Sequence, residues 1–169
     1  RWADRVDAPC GWAMRNRHFW RQDGGYREWI EFFFGQQLPE PHSTKQYEDT
    51  VGWALETDAE AMIAEREGRA APAGPEAEAL CRRVRYPVRV LHGSDDRCQP
   101  VARGQRLAEL TGGDLVVIDG AGHLPQSRDP VKVTRLITGF ADRTTGEPMH
   151  ATTWTRGSCR PRRALYLSS

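Results

Sequence analysis

Pro87-Val88-Arg89-Val90-Leu91-His92-Gly93-Ser94-Asp95-Asp96-Arg97-Cys98-Gln99-Pro100, followed further on by Gly120-Ala121-Gly122-His123-Leu124-Pro125, is the part of the chain whose reading decides the fold. Val88, Val90 and Leu91 form a short β-branched and apolar run that ends at Gly93, the composition of a strand. Residues 115–118 are a second apolar run, bounded by Gly112-Gly113 and Gly120. Its lack of alternation predicts a strand covered on both faces. Between the two, a helix is expected after Pro100 with Leu107 and Leu110 turned inward. After the second, Asp129 as N-cap and Pro130 at the first helical position open another helix. Its Val133, Leu136, Ile137 and Phe140 make one apolar stripe. Strand, helix, strand, helix with short loops implies a βαβα unit and a parallel sheet. Two strands make no stable sheet alone, so the expectation is an incomplete α/β fold whose other strands lie upstream of Arg1 or in another chain.

Upstream of this unit the rhythm is helical. Tyr26, Trp29, Ile30 and Phe33 recur at i, i+3, i+4 and i+7, with Phe32 and Phe34 widening that face. Gly35 and Pro39 are expected to end this helix. Ser43 with Gln46, and then Thr57 with Glu60, read as capping boxes opening two more helices, the second fading at Gly68. Residues 69–75, rich in Pro, Gly and Ala, read as a connection. The chain thus divides into a helical part (1–83), a βαβα part (84–141) and a linker or tail (142–169) with no periodicity. The apolar faces of an incomplete fold would leave the isolated chain prone to aggregate.

Composition excludes several function classes. Among 169 residues, 24 basic and 23 acidic side chains leave a formal net charge of +1, which argues against a nucleic-acid footprint. Hydrophobic residues make up 38% and the mean hydropathy is −0.68. No apolar run approaches the roughly 20 residues of a membrane helix, and no secretion signal is visible. Cys10, Cys81, Cys98 and Cys159 form no CxxC pair and have no histidine at zinc-ligand spacing. They are expected to be free thiols of a cytoplasmic protein, with no metal and no organic cofactor implied.

Chemistry concentrates in two loops, each at the C-terminal end of a strand, where open parallel sheets place ligands. Asp96 and His123 lie 27 positions apart, across one helix and one strand, so both side chains can emerge on the same sheet edge. A carboxylate beside an imidazole fixes its tautomer and stabilises the imidazolium formed when it takes a proton from a nucleophile. The spacing alone carries little weight. Asp95 and Asp96 could equally form an Asx turn after a strand, and His123 could be a satisfied loop histidine. Asp95 is read as a turn former, and His92 as the structural end of the strand.

The local sequences add specificity. The Gly93-Ser94-Asp95-Asp96 loop running on to Pro100, then Gly120-Ala121-Gly122-His123, closely resembles the last third of α/β-hydrolases, whose acid and base sit in such loops in this order. The resemblance covers 84–141 and implies Asp96 as triad acid and His123 as base. Residues 1–83 would then be the remainder of a helical lid. In that family the nucleophile precedes the acid, usually within G-x-S-x-G. This chain contains no such motif, so the resemblance implies an upstream nucleophile, Ser or (as in epoxide hydrolases and dehalogenases) Asp, and a chain inactive by itself. It implies esterase-like hydrolysis of a small acyl or apolar substrate. The alternative is a non-catalytic hydrolase-like module for binding or scaffolding in a multidomain protein. The oligomeric state stays open.

Other features have plain readings. His18, Trp20, Trp29, Phe33 and Trp53 could line a substrate pocket under the lid, though aromatic packing accounts for them as well. Glu40-Pro41-His42-Ser43-Thr44-Lys45 is explained by a capped helix start. Arg156, Arg160, Arg162 and Arg163 read as a solvated linker. Finally, 162–169 resembles the first strand of a nucleotide-sugar glycosyltransferase domain.

Overall fold

The computed structural model describes residues 2–6, 9–68 and 71–145. After a 3-10 turn (Gly11–Met14) the chain forms α1 (Arg17–Trp20), α2 (Gly25–Gln37), α3 (Thr44–Ala54), α4 (Ala59–Gly68) and α5 (Gly74–Arg82). Then follow β1 (Arg89–Gly93), α6 (Val101–Thr111), β2 (Asp114–Ile118), α7 (Pro125–Arg128) and α8 (Pro130–Thr145). The two strands pair in parallel, from Arg89 opposite Asp114 to Gly93 opposite Ile118, joined by the α6 crossover. The architecture is therefore mostly helical with a two-stranded parallel sheet.

Two apolar centres hold it together. In the helical part Trp20, Trp29, Ile30 and Ile63 are buried, with Phe32, Phe33 and Val51 packed around them. Trp29 stacks on Trp20 and on Phe33, with centroids 5.8 and 5.1 Å apart. Such ring pairs add to the burial of large apolar area. Beneath the sheet, Ile118, Ala121 and Val133 are buried against Leu91 and Leu136.

Several local expectations need correction. Gly35 does not end α2, which runs through it to Gln37. Ser43 precedes α3 but makes no cap bond, because its hydroxyl faces Glu40, and the Gln46 amide reaches the Ser127 carbonyl instead. At α4 the cap is Asp58, whose carboxylate accepts from Ala61 N at 2.8 Å, rather than Thr57. The connection expected at 69–75 gives way at Gly74 to α5, where Pro75 occupies the first turn that proline tolerates. β2 is not covered on both faces: Val117 is 45% exposed. Leu107 and Ile137 are exposed too, whereas Leu110 is half-buried. Asp129 does cap α8, accepting from Lys132 N at 2.9 Å. The helix continues past 141 to Thr145. The basic cluster of the tail and the 162–169 stretch lie outside the described residues. Cys10, Cys81 and Cys98 are free thiols; Cys159 is outside the described residues. No helix among the described residues is long and apolar enough to cross a membrane.

Candidate active site

Where β1 ends, the backbone at Gly93 passes so close to the loop after β2 that a side chain would not fit. A Cβ there would stand 2.1 Å from the Ala121 carbonyl oxygen and 2.2 Å from that of Gly122. Glycine lets the two loops touch. Three bonds then clip them together: Ser94 N to Ile118 O at 3.0 Å, Asp95 N to Ala121 O at 2.9 Å, and Gly120 N to the Ser94 hydroxyl at 2.8 Å. Asp95 serves this clip, also accepting the Ser94 hydroxyl at 2.9 Å, and does not face His123.

Asp96 uses its two oxygens differently. Oδ1 accepts the backbone N–H groups of Cys98 at 2.7 Å and Gln99 at 2.9 Å, closing an Asx turn. Oδ2 lies 2.8 Å from His123 Nδ1. The turn-forming and base-orienting readings of this residue are thus compatible. An ionised carboxylate only accepts, so Nδ1 carries the proton and Nε2 is left with a free lone pair. Among the described residues Nε2 has no hydrogen-bond partner. The Asp96 side chain is 4% exposed and that of His123 33%. Burial pushes the Asp96 carboxyl up. The His123 bond and the two backbone N–H bonds, together with the positive charge the ring carries once it takes a second proton, outweigh it and hold the carboxyl below its usual range.

Three groups that sequence reasoning did not assign complete the surroundings. His92 Nε2 lies 3.0 Å from the Gln99 carbonyl, which can only accept, so this nitrogen is protonated; it also lies 3.4 Å from Asp96 Oδ2. Gln37 O accepts from His123 N at 2.9 Å, and Glu40 Oε1 accepts from Gly122 N at 2.7 Å. The turn after α2 thus grips the histidine loop. Only His92 was signalled locally, by its place at the strand end. Gln37 and Glu40 act through backbone groups some eighty positions away and leave no motif.

Cys98 Sγ joins Asp96 and His123 in a trio whose ligand atoms fall within 4.8 Å of one another. Burial, and then the Asp96 charge, push the thiol up to about 11, so it stays protonated at neutral pH. A protonated thiol is not an activated nucleophile. With both Asp96 oxygens already accepting hydrogen bonds, the donor set fits an Asp–His pair better than a cation.

A cavity of about 640 Å³ opens on His123, with Trp20, Trp29 and Phe33 in its wall. Trp53 does not line it and stands 65% exposed on α3. His18 instead contacts the Ala3 carbonyl at 3.0 Å. A second cavity of about 490 Å³ runs beside β1 between α5 and α6 and also reaches Asp96 and His123. The Ser43 hydroxyl faces Glu40 at 3.4 Å and that of Ser94 faces Asp95 at 2.9 Å, rather than His123.

No family model and no curated protein matches the chain. Among solved structures, the crystal structure of an esterase, RhEst1 from Rhodococcus sp. ECU1013, is similar with a TM-score of 0.62 and 21% sequence identity. The match covers 73% of this chain and 44% of that chain. At this identity the likeness is one of fold, that of the α/β-hydrolases. The glycosyltransferase resemblance of 162–169 gains no support from it.

Proposed function

We propose that this chain contributes the acid and the base of a lidded α/β-hydrolase that cleaves esters or similar acyl compounds. The observation that carries this reading is the buried Asp96 carboxylate, held by two backbone N–H groups and set 2.8 Å from His123 Nδ1. His123 Nε2 takes the proton of an attacking nucleophile and returns it to the leaving group, while Asp96 orients the ring and stabilises the imidazolium. The nucleophile belongs to a segment outside the described residues. The edge of β1 away from β2, unpaired among the described residues, and the cavity beside it give such a segment a place. The helical part with its aromatic wall acts as the lid over a small-molecule substrate. Three free thiols fit a reducing, cytoplasmic setting.

The test is fluorophosphonate labelling of the protein expressed from its complete reading frame. A serine hydrolase is labelled, and His123→Ala abolishes the label. Labelling that survives the substitution removes His123 from the mechanism. An aspartate nucleophile gives no label but turnover of a haloalkane or epoxide that still requires His123. One observation favours a second reading, a non-catalytic binding module: no hydroxyl among the described residues bonds to His123 Nε2. Absence of both label and turnover would select it.

A further inference from the structure

Two arginines share the aromatic cavity on which His123 opens. Arg15 follows the 3-10 turn and Arg66 comes from α4. Neither guanidinium has an ion-pair or hydrogen-bond partner among the described residues. Arg66 lies over the Trp2 ring, 4.6 Å from its centroid, and leaves its charge uncompensated. The cavity's glutamates are already engaged. Glu67 accepts from Trp2 Nε1 and Arg17 Nη1, both at 3.1 Å, and Glu65 has a partner of its own. Burial, and then Arg66 beside it, push the Arg15 guanidinium below its ordinary value. Two like charges facing one hollow are relieved by an anion placed between them.

The position of Arg15 is set in advance. Its backbone N–H donates to Trp12 O at 3.2 Å, and the carbonyl of the preceding Met14 accepts from the buried Trp20 indole at 2.9 Å. Guanidinium forks match carboxylate geometry bidentately. The nearby Glu65 and Glu67 disfavour a dianion such as a phosphate monoester, so a monoanion suits the local charge. Trp20, Trp29 and Phe33 offer an apolar wall of the kind that positions a small ligand around a few polar groups.

We propose that this cavity binds an apolar carboxylate, its acid group on Arg15 with Arg66 beside it and its body against Trp20, Trp29 and Phe33. Resting on the hydrolase reading above, the scissile bond would lie toward His123, so the substrate is an ester that also carries a free carboxylate. The binding itself needs no catalysis.

Two probes of equal shape test it on the full chain: 4-phenylbutyrate and its uncharged amide, 4-phenylbutanamide, titrated against tryptophan fluorescence. The carboxylate should bind about tenfold tighter or more, as for one charge-assisted pair. Arg15→Gln should abolish that preference by weakening the carboxylate far more than the amide, and Arg66→Gln should weaken it. His123→Ala should leave the preference intact, so failure of the hydrolase reading, seen in the labelling experiment, is distinguishable from failure of this one. Equal affinities, no saturable response to the carboxylate, or a preference that survives Arg15→Gln would overturn the proposal.

Discussion

The backbone N–H of His123 donates to the carbonyl of Gln37 at 2.9 Å, so the last residue of α2 holds the residue proposed as base. The contact is close because Gly122 has no side chain. A Cβ there would stand 2.4 Å from Pro39 Cδ and 2.6 Å from Gln37 O. The second of these is backbone, which has little room to give. Gly122→Ala should therefore push the histidine loop off the helical part. Overpacking of this kind costs about 1–3 kcal/mol. Urea denaturation should show the loss as a lowered midpoint, and a midpoint equal to that of the unsubstituted chain would contradict the contact.

Glu40 makes the companion contact. Its Oε1 accepts from Gly122 N at 2.7 Å, and its Oε2 faces the Ser43 hydroxyl at 3.4 Å. Gly122 is buried, so removing the carboxylate leaves its N–H without a partner. Glu40→Ala should cost about 1–3 kcal/mol. Glu40→Gln, which keeps an acceptor oxygen, should cost distinctly less. Equal losses in the two variants, measured by the same denaturation, would show that the hydrogen bond does not hold the loop.

How much of this could be read from the sequence depends on the range of the interaction. β1, α6, β2 and α8 follow from short β-branched runs, glycine boundaries and a proline at a helix start, all local signals. Asp96 and His123 stand out because their loops resemble a family pattern. α5 was missed because Gly74 and Pro75 signal a turn, although proline in the first turn costs a helix nothing. The α4 cap went to Thr57 instead of its neighbour Asp58 because both residue types cap helices. Gly35 reads as a terminator, yet it sits inside α2, whose aromatic packing outweighs the local preference. The grip of Gln37 and Glu40 on the histidine loop leaves no trace in composition or period. Arg15 and Arg66 are likewise brought to one cavity only by the helical packing.

The Asp96 carboxyl, held below the usual range, links stability to pH. A carboxyl depressed in the folded chain contributes stability that is fully present above the unfolded value, near pH 4, and lost as pH falls through the folded one. Asp96→Asn keeps an oxygen for Cys98 N and Gln99 N but presents no charge to His123. The parent chain should therefore be more stable than the variant at neutral pH, and the gap should narrow as pH falls below about 4. A gap that stays constant from pH 7 to pH 3 would show that ionisation of Asp96 contributes nothing. If the hydrolase reading holds, the same substitution should cut turnover by about 10⁴-fold, since the amide favours the wrong imidazole tautomer.

His92 gives a prediction about Asp96 from the other side. Its Nε2–H lies between two acceptors, Gln99 O at 3.0 Å and Asp96 Oδ2 at 3.4 Å, on a side chain that is largely buried. The first contact closes the loop that carries Asp96, and the second places a donor beside its charge. His92→Leu removes the donor and leaves a part-buried carbonyl unpaired, a loss of about 1 kcal/mol. His92→Gln carries an amide nitrogen of similar reach and should recover much of that stability. The downfield NMR signal of the His123 Nδ1 proton separates loop closure from mere packing. With the Asp96 loop displaced, that signal should broaden or vanish in the leucine variant and return in the glutamine variant. A sharp signal in the leucine variant would mean that Asp96 keeps its place on His123 without help from His92.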